Sequence, residues 1–255
     1  MSRVVLIPMG VGEAFTARHY TTCLALGVGD DWLLIDCPHP VRKMLHEGST
    51  AAGLPQPLDL DRIRAAAVTH LHADHCCGLE DFGYYTWLAL GRRATLLMHP
   101  EASARLWDGL LSAGMELVQG QPEEPPSRKL LSDYFELIDL DPSQPVECGP
   151  FAVECRRTIH SVPTFALRVT AGGRVLGFSA DTAYDPNLIE WLSPADLIVH
   201  EATTHPHPGL HTPYEKLAAL PGSLRAKMRL THLPDDFDAD SSAIEPLHEG
   251  RIYEV

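Results

Sequence analysis

Nowhere does this sequence approach the roughly 18 consecutive apolar residues that a membrane-spanning helix needs. Its opening, Met-Ser-Arg-Val-Val-Leu-Ile-Pro, is too short in apolar residues for a secretory signal. A cytoplasmic protein with no membrane partner is therefore expected. Cysteine is sparse. The six, at 23, 37, 76, 77, 148 and 155, form no Cys-x-x-Cys pair, and 255 residues is too long for a disulfide-dense miniprotein. A reduced thiol set is the simpler account. Basic charge is also short: 20 Lys and Arg stand against 34 Asp and Glu, a net −14. That balance disfavours broad capture of nucleic acid, which needs a basic face. It leaves room for a small phosphate ligand, because a bound divalent metal supplies local positive charge. Repeats and low-complexity segments are lacking too. The best linker candidate, Pro122 to Pro126, is too short to separate domains, so one domain over 1–255 is expected.

What the chain does have is histidine concentrated at one place. The stretch Val68-Thr69-His70-Leu71-His72-Ala73-Asp74-His75 packs three imidazoles and a carboxylate into six positions. His70 and His72 alternate as residues at the end of an extended segment do, pointing the same way. Asp74 and His75 follow where a turn into a helix would aim them at a second point. Imidazole and carboxylate are ligands for zinc and similar ions, so the cluster proposes two adjacent metals. A chance His-rich surface loop is the plain alternative, and the apolar run Ala65 to Val68 directly before it argues against that. Cys76 and Cys77 lie beside the cluster, either as further ligands or as small packing residues.

Short β-rich runs recur at Val4 to Ile7, Trp32 to Ile35, Ala65 to Val68, Thr95 to Met98, Phe151 to Cys155, Ala166 to Val169, Val175 to Phe178, Leu197 to Val199 and Met228 to Leu230. Between them lie helix-compatible stretches at Pro40 to His46, Leu79 to Leu90, Glu101 to Ala113, Pro186 to Leu192 and Pro213 to Leu220. Interleaving of this kind implies an α/β fold. One cluster cannot close two metal shells, so ligands must arrive from elsewhere. His160 ends the strand-like run from Phe151 to Ile159, Asp181 follows an apolar strand at a small-residue turn, and His232 follows Leu230-Thr231. Each stands where a strand hands over to a loop, as functional residues of α/β folds do. Taken singly, each is also compatible with a structural role.

Together these residues resemble the metallo-β-lactamase superfamily, whose motif is His-x-His-x-Asp-His followed by a distant His, a bridging Asp and a final His. The resemblance covers nearly the whole chain. It implies an αββα sandwich of two mixed sheets with outer helices. It also implies two divalent metal ions, zinc first and manganese or iron next. His70, His72 and His160 would hold one, Asp74, His75 and His232 the other, with Asp181 bridging both and a hydroxide between them. It further places Asp36 beneath the cluster as support. An imidazole at His72, where di-iron redox members carry a carboxylate, favours hydrolysis.

Asp196-Leu197-Ile198-Val199-His200-Glu201-Ala202-Thr203, His211-Thr212 and Leu230-Thr231-His232 resemble the ribonuclease Z branch. By that resemblance His211 would stabilise the phosphate and act as general acid, Glu201 would orient it, and Asp74 joins them as a catalytic residue. His211 as a loop residue capping the helix after Pro213 is the structural alternative. Ribonuclease Z grips tRNA with a long basic arm between the distant His and the bridging Asp. Here the interval from His160 to Asp181 leaves room only for a hairpin at Gly172-Gly173. The expected substrate is therefore a small or cyclic phosphate ester, as in the small cyclic phosphodiesterases of this branch, and not folded tRNA. The sequence leaves the oligomeric state open, with a homodimer among the options.

The alternatives are a lactonase- or thioesterase-like acyl hydrolase of the same superfamily, or a non-catalytic metal-binding protein of a cofactor pathway. The acyl hydrolases lack the combined Glu201 and His211 motifs. His39, His205 and His207 are candidates for substrate contact. Arg225, Lys227 and Arg229 read as a solvated helix face, with phosphate recruitment the alternative, and Asp235 to Asp240 as a solvated acidic loop.

Overall fold

A computed structural model describes residues 3–205 and 209–255 of the chain. In the N-terminal half the strands are β1 (Val4–Gly10), β2 (Cys23–Val28), β3 (Asp31–Ile35), β4 (Ile63–Ala67), β5 (Ala94–Met98), β6 (Leu117–Val118) and β7 (Ser127–Arg128). After them come β8 (Phe135–Asp139), β9 (Val146–Cys148), β10 (Phe151–Arg157), β11 (Phe165–Ala171), β12 (Arg174–Phe178), β13 (Leu197–Glu201), β14 (Met228–Thr231) and β15 (Tyr253–Glu254). Among the described residues they build a seven-stranded sheet, β15-β1-β2-β3-β4-β5-β8, and a six-stranded sheet, β14-β13-β12-β11-β10-β9, with β6 and β7 a separate hairpin.

The two sheets bury one apolar layer. Phe151, Val153 and Cys155 alternate inward along β10 and join Leu6, Leu24 and Leu26 of the other sheet in one core. On β13, Leu197 and Val199 face that layer, whereas Ile198 faces a second cluster with Leu188 and Leu192 of the helix Pro186–Leu192. That alternation puts helices outside the sheets and gives the expected αββα metallo-β-lactamase sandwich.

Strand direction positions the site. β3, β4 and β5 run parallel, as do β12, β13 and β14. Because β11 is antiparallel to both β10 and β12, β10 shares the direction of β12. Site residues follow the ends of these co-directional strands: Asp36 after β3, His70 to His75 after β4, His160 after β10, Asp181 after β12 and His232 after β14. Glu201 is the last residue of β13. The hairpin joining β11 and β12 turns at Gly172 and Gly173, both with positive φ (55° and 80°), a conformation glycine adopts without steric cost.

Some local expectations need correction. The stretch expected as one helix from Glu101 to Ala113 is broken into Pro100–Ser103, a π-helical turn at Trp107–Leu111 and Ser112–Met115. The run expected to reach Ile159 ends as a strand at Arg157. Lys227 and Arg229 do not form a solvated helix face. Both flank or lie on β14, where Lys227 donates to the Ser193 and Ala195 carbonyls and Arg229 pairs with Glu245 at 3.0 Å. Arg225 donates to the Leu220 carbonyl. Asp235 is not simply a solvated loop residue. It accepts from the Thr16 hydroxyl and the Ala17 N–H, tying the loop after β1 to the segment after His232.

Candidate metal centre

The loop Val68–His72 leaves β4 extended, and a short helix, Ala73–Cys76, begins after His72. That change of direction separates the donor atoms into two groups. His70 Nε2 and His160 Nε2 lie 3.1 and 3.2 Å from His72 Nδ1, and each lies 3.8 Å from Asp181 Oδ2. On the other side, Asp74 Oδ2 lies 3.2 Å from both His75 Nε2 and His232 Nε2. Asp181 Oδ1 is 3.3 Å from His75 Nε2, and Asp181 Oδ2 is 3.5 Å from His232 Nε2. Metal–ligand bonds of ~2.0–2.1 Å in a tetrahedron put neighbouring donors roughly 3.3 Å apart, so both groups have the spacing of a cation's ligand shell. Asp181 belongs to both. His75 Nε2 is buried without a hydrogen-bond partner although two carboxylates flank it, as expected of a donor reserved for an ion. These clusters fit a divalent metal.

Supporting hydrogen bonds fix the imidazole tautomers. Asp36 is fully buried and accepts from the Thr69 N–H and hydroxyl at 2.8 and 2.9 Å. Its Oδ2 accepts from His75 Nδ1 at 2.8 Å. With the Thr69 hydrogen given to Asp36, the Thr69 oxygen accepts from His70 Nδ1 at 2.9 Å. The Leu210 carbonyl accepts from His160 Nδ1 at 3.1 Å. In each of these three rings Nδ1 keeps the proton and Nε2 presents its lone pair to the centre. The geometry is held by backbone that side-chain-bearing residues rarely adopt: Asp36, Ala180 and His232 have φ of 60°, 50° and 54°. Such conformations cost of order 1–3 kcal/mol each and concentrate at functional sites. Gly78 lets the helix start press against the turn after Asp36, since a Cβ there would stand 2.3 Å from the Pro38 carbonyl oxygen.

Charge is distributed unevenly. Burial works against a charged His75, but Asp181 and Asp36 outweigh it and hold the ring well above the usual histidine range. Burial is likewise outweighed at His232, where Asp181 and the bond to Asp74 raise the value to about 9. Asp74 and Asp181 resist their burial and stay well below the carboxylate range because these imidazoles face them. His70, His72 and His160 are pushed down, chiefly by burial. The metal-free chain thus holds protons on His75 and His232 at pH 7.5, and a cation must displace them. Calorimetric titration in buffers of different ionisation enthalpy is expected to show release of about two protons per chain. Affinity should climb as pH rises toward the value near 9 at which His232 deprotonates. Binding without proton release would contradict this assignment.

His211 stands outside the two four-residue groups and faces both. Its Nδ1 lies 3.3 Å from Glu201 Oε1 and 4.0 Å from Asp181 Oδ2, and its ring stacks on His232 at 5.1 Å. Glu201 Oε1 also accepts from the Thr182 and Thr212 N–H groups at 2.8 and 3.2 Å, so it fastens His211 to the loop carrying Asp181. Burial raises the Glu201 carboxyl. Burial opposes charge on His211 as well, but the bond to Glu201 overcomes it and raises that ring above its ordinary value.

Two other candidates have carboxylate partners of their own. His39 pairs with Asp81 at 2.8 Å on the exposed turn beside Cys77, and His205 pairs with Asp236 at 3.2 Å. His207 lies outside the described residues. Cys76 is buried, its thiol pushed up to about 12 by burial, and Cys77 is exposed. Neither belongs to a metal-binding group among the described residues. Thr69 was not anticipated, although a hydroxyl directly before the His cluster is a visible signal. The Leu210 contact uses a backbone carbonyl and has no sequence signal. The support given by Asp36 makes a specific prediction. Asn tolerates the same positive φ, so Asp36→Asn should fold yet bind metal roughly 10–100-fold more weakly in chelator competition.

Among solved structures, the chain resembles the metallo-β-lactamase fold protein YhfI from Bacillus subtilis, with TM-score 0.75 and 20% identity over 99% of this chain and 100% of that one. It also resembles a diphosphatase of the PhnP family (TM-score 0.69, 16% identity, 99% of this chain and 98% of that one) and human short-form tRNase Z (TM-score 0.66, 20% identity, 98% of each). Two relatives, each described as Anti-Pycsar protein Apyc1, come from Paenibacillus sp. (strain J14) and Bacillus phage 010DV004. They are 26% and 28% identical, over 97% of this chain and 96% and 97% of their own lengths. The family of that description matches residues 4–249, and the chain belongs to the Anti-Pycsar protein Apyc1 family.

Proposed function

We infer that the chain is a metal-dependent phosphodiesterase acting on a small or cyclic phosphate ester. The observation that carries this reading is His211, an imidazole outside the two groups that share Asp181, fixed by Glu201 and within 4.0 Å of Asp181. His70, His72, His160 and Asp181 would hold one divalent ion, and Asp74, His75, Asp181 and His232 a second, with zinc the best match to these donors. When bound, the ions supply Lewis acidity to the phosphate and make water acidic enough to attack at neutral pH. The chain's own residues do the rest. Asp74 is ionised and part-buried, placed to accept a proton from the attacking water. His211 donates Nδ1–H to Glu201 and turns Nε2–H to the departing oxygen. The family name of the relatives and the PhnP-type and tRNase Z neighbours support phosphate-ester chemistry.

The short hairpin of β11 and β12, which carries no inserted arm, and the net charge of −14 support a small substrate over folded tRNA. A hydrolysis panel on metal-loaded protein tests the reading. It compares bis-p-nitrophenyl phosphate, cyclic nucleotides and cyclic ribose phosphates with a lactone and a thioester. Turnover confined to the phosphate diesters is expected. Turnover confined to the lactone or thioester would replace this reading with acyl hydrolysis.

A further inference from the structure

Among the described residues, every hydrogen bond to the Glu201 carboxylate falls on one of its two oxygens. Oε1 accepts from the Thr182 and Thr212 N–H groups and faces His211 Nδ1. Oε2 is buried and has no hydrogen-bond partner among the described residues. The whole residue is 1% exposed, so bulk solvent does not serve that oxygen. A buried acceptor left unsatisfied is costly, and a charged one more so.

A second orphan stands on the neighbouring strand. Thr231 of β14 is fully buried, and its hydroxyl likewise has no partner among the described residues. Glu201 and Thr231 are paired in register across the parallel strands β13 and β14. Ile198 and Met228, three positions earlier on each strand, both face the outer cluster that includes Leu188 and Leu192. Three steps along a strand reverse the side-chain direction, so Glu201 and Thr231 share the opposite, inner face. Paired residues of adjacent strands stand roughly 5 Å apart. One buried water, which needs two or more polar partners, bridges groups so placed.

Resting on the phosphodiesterase reading, we propose that Thr231 is a positioning residue for His211, acting through one water held between its hydroxyl and Glu201 Oε2. The hydroxyl donates to the water, and the water donates to Oε2. With both oxygens occupied the carboxylate cannot turn, and Oε1 stays aimed at His211. Thr231 directly precedes the metal donor His232, so the test must separate this role from a disturbed metal site.

Thr231→Val removes the hydroxyl at nearly constant shape, and Thr231→Ser keeps it. A crystal structure of the metal-loaded chain should show a water within hydrogen-bond distance of both atoms in wild type and in Thr231→Ser. Elemental analysis should give both variants the metal content of wild type. On diphenyl phosphate, whose leaving group needs protonation, Thr231→Val should lower kcat about 10-fold or more with KM unchanged. On bis-p-nitrophenyl phosphate the loss should stay within about twofold, and Thr231→Ser should match wild type on both esters. Added to Glu201→Gln, Thr231→Val should cost nothing further, since both act through one chain of bonds. Equal losses on the two esters, or a lost metal ion, would assign the effect to His232 and overturn the proposal. So would unchanged kinetics, or a structure with no water between the two atoms; the hydrolase would still stand. A wild type inert toward both esters would bring down the phosphodiesterase reading and this role with it. The crystal structure alone would then decide whether the bridge exists.

Discussion

Asp181→Ala is expected to take the purified chain from about two metal ions to one or fewer, because this carboxylate faces both groups of donors. Oδ1 addresses His75, and Oδ2 addresses His70, His160 and His232. Its loss leaves buried imidazoles without the anion that balances them, so both sites weaken together. Activity should fall by more than the roughly 100-fold that loss of a merely supporting residue costs. Elemental analysis measures the ions and initial rates measure the activity. Two ions retained in the variant would remove Asp181 from the shared position. The Thr158 hydroxyl bond to the Asp181 carbonyl, at 2.8 Å, holds the loop independently of the side chain.

The second large effect separates phosphate from acyl chemistry. His211→Ala should leave metal content unchanged and lower kcat roughly 10²–10⁴-fold on diesters with poor leaving groups. With p-nitrophenolate, which departs without protonation, the loss should be far smaller. The pH profile carries the same information. His211 is raised above its ordinary value by the bond to Glu201, so it keeps its proton to higher pH than a free imidazole and loses it as pH rises further. The falling alkaline limb of kcat in the wild type should disappear in the variant. Equal and small losses on every ester would make His211 a structural residue and favour the acyl hydrolase.

Much of this site was legible because metal binding constrains both residue type and spacing. The interval from His70 to His75 declares its chemistry, and His160, Asp181 and His232 each follow a readable strand. Strand and helix punctuation gave the α/β class, and the resemblance to the superfamily gave the sandwich. What escaped did so for physical reasons. Cys23–Val28 is buried throughout and shows no period of two, so no alternation marks it as a strand. Leu106 to Leu111 has helical spacing, and nothing in its side chains announces the wider turn at Trp107–Leu111. Phe135–Asp139 lies at the edge of its sheet with a mixed burial pattern, again a weak signal. Asp235 could not be separated from its acidic neighbours, because its partner Thr16 lies 219 positions away.

The donors that converge on Asp181 also have a mechanical meaning. His70, His72, Asp74 and His75 hang from the seven-stranded sheet, while His160, Asp181 and His232 hang from the six-stranded one. The two donor groups that share Asp181 therefore each draw on both layers, and ions held there would clamp the open end of the sandwich like rivets. Unfolding either layer would have to release them. Resistance of the whole molecule to heat then becomes a function of free metal concentration, rising with the logarithm of that concentration once the sites are filled.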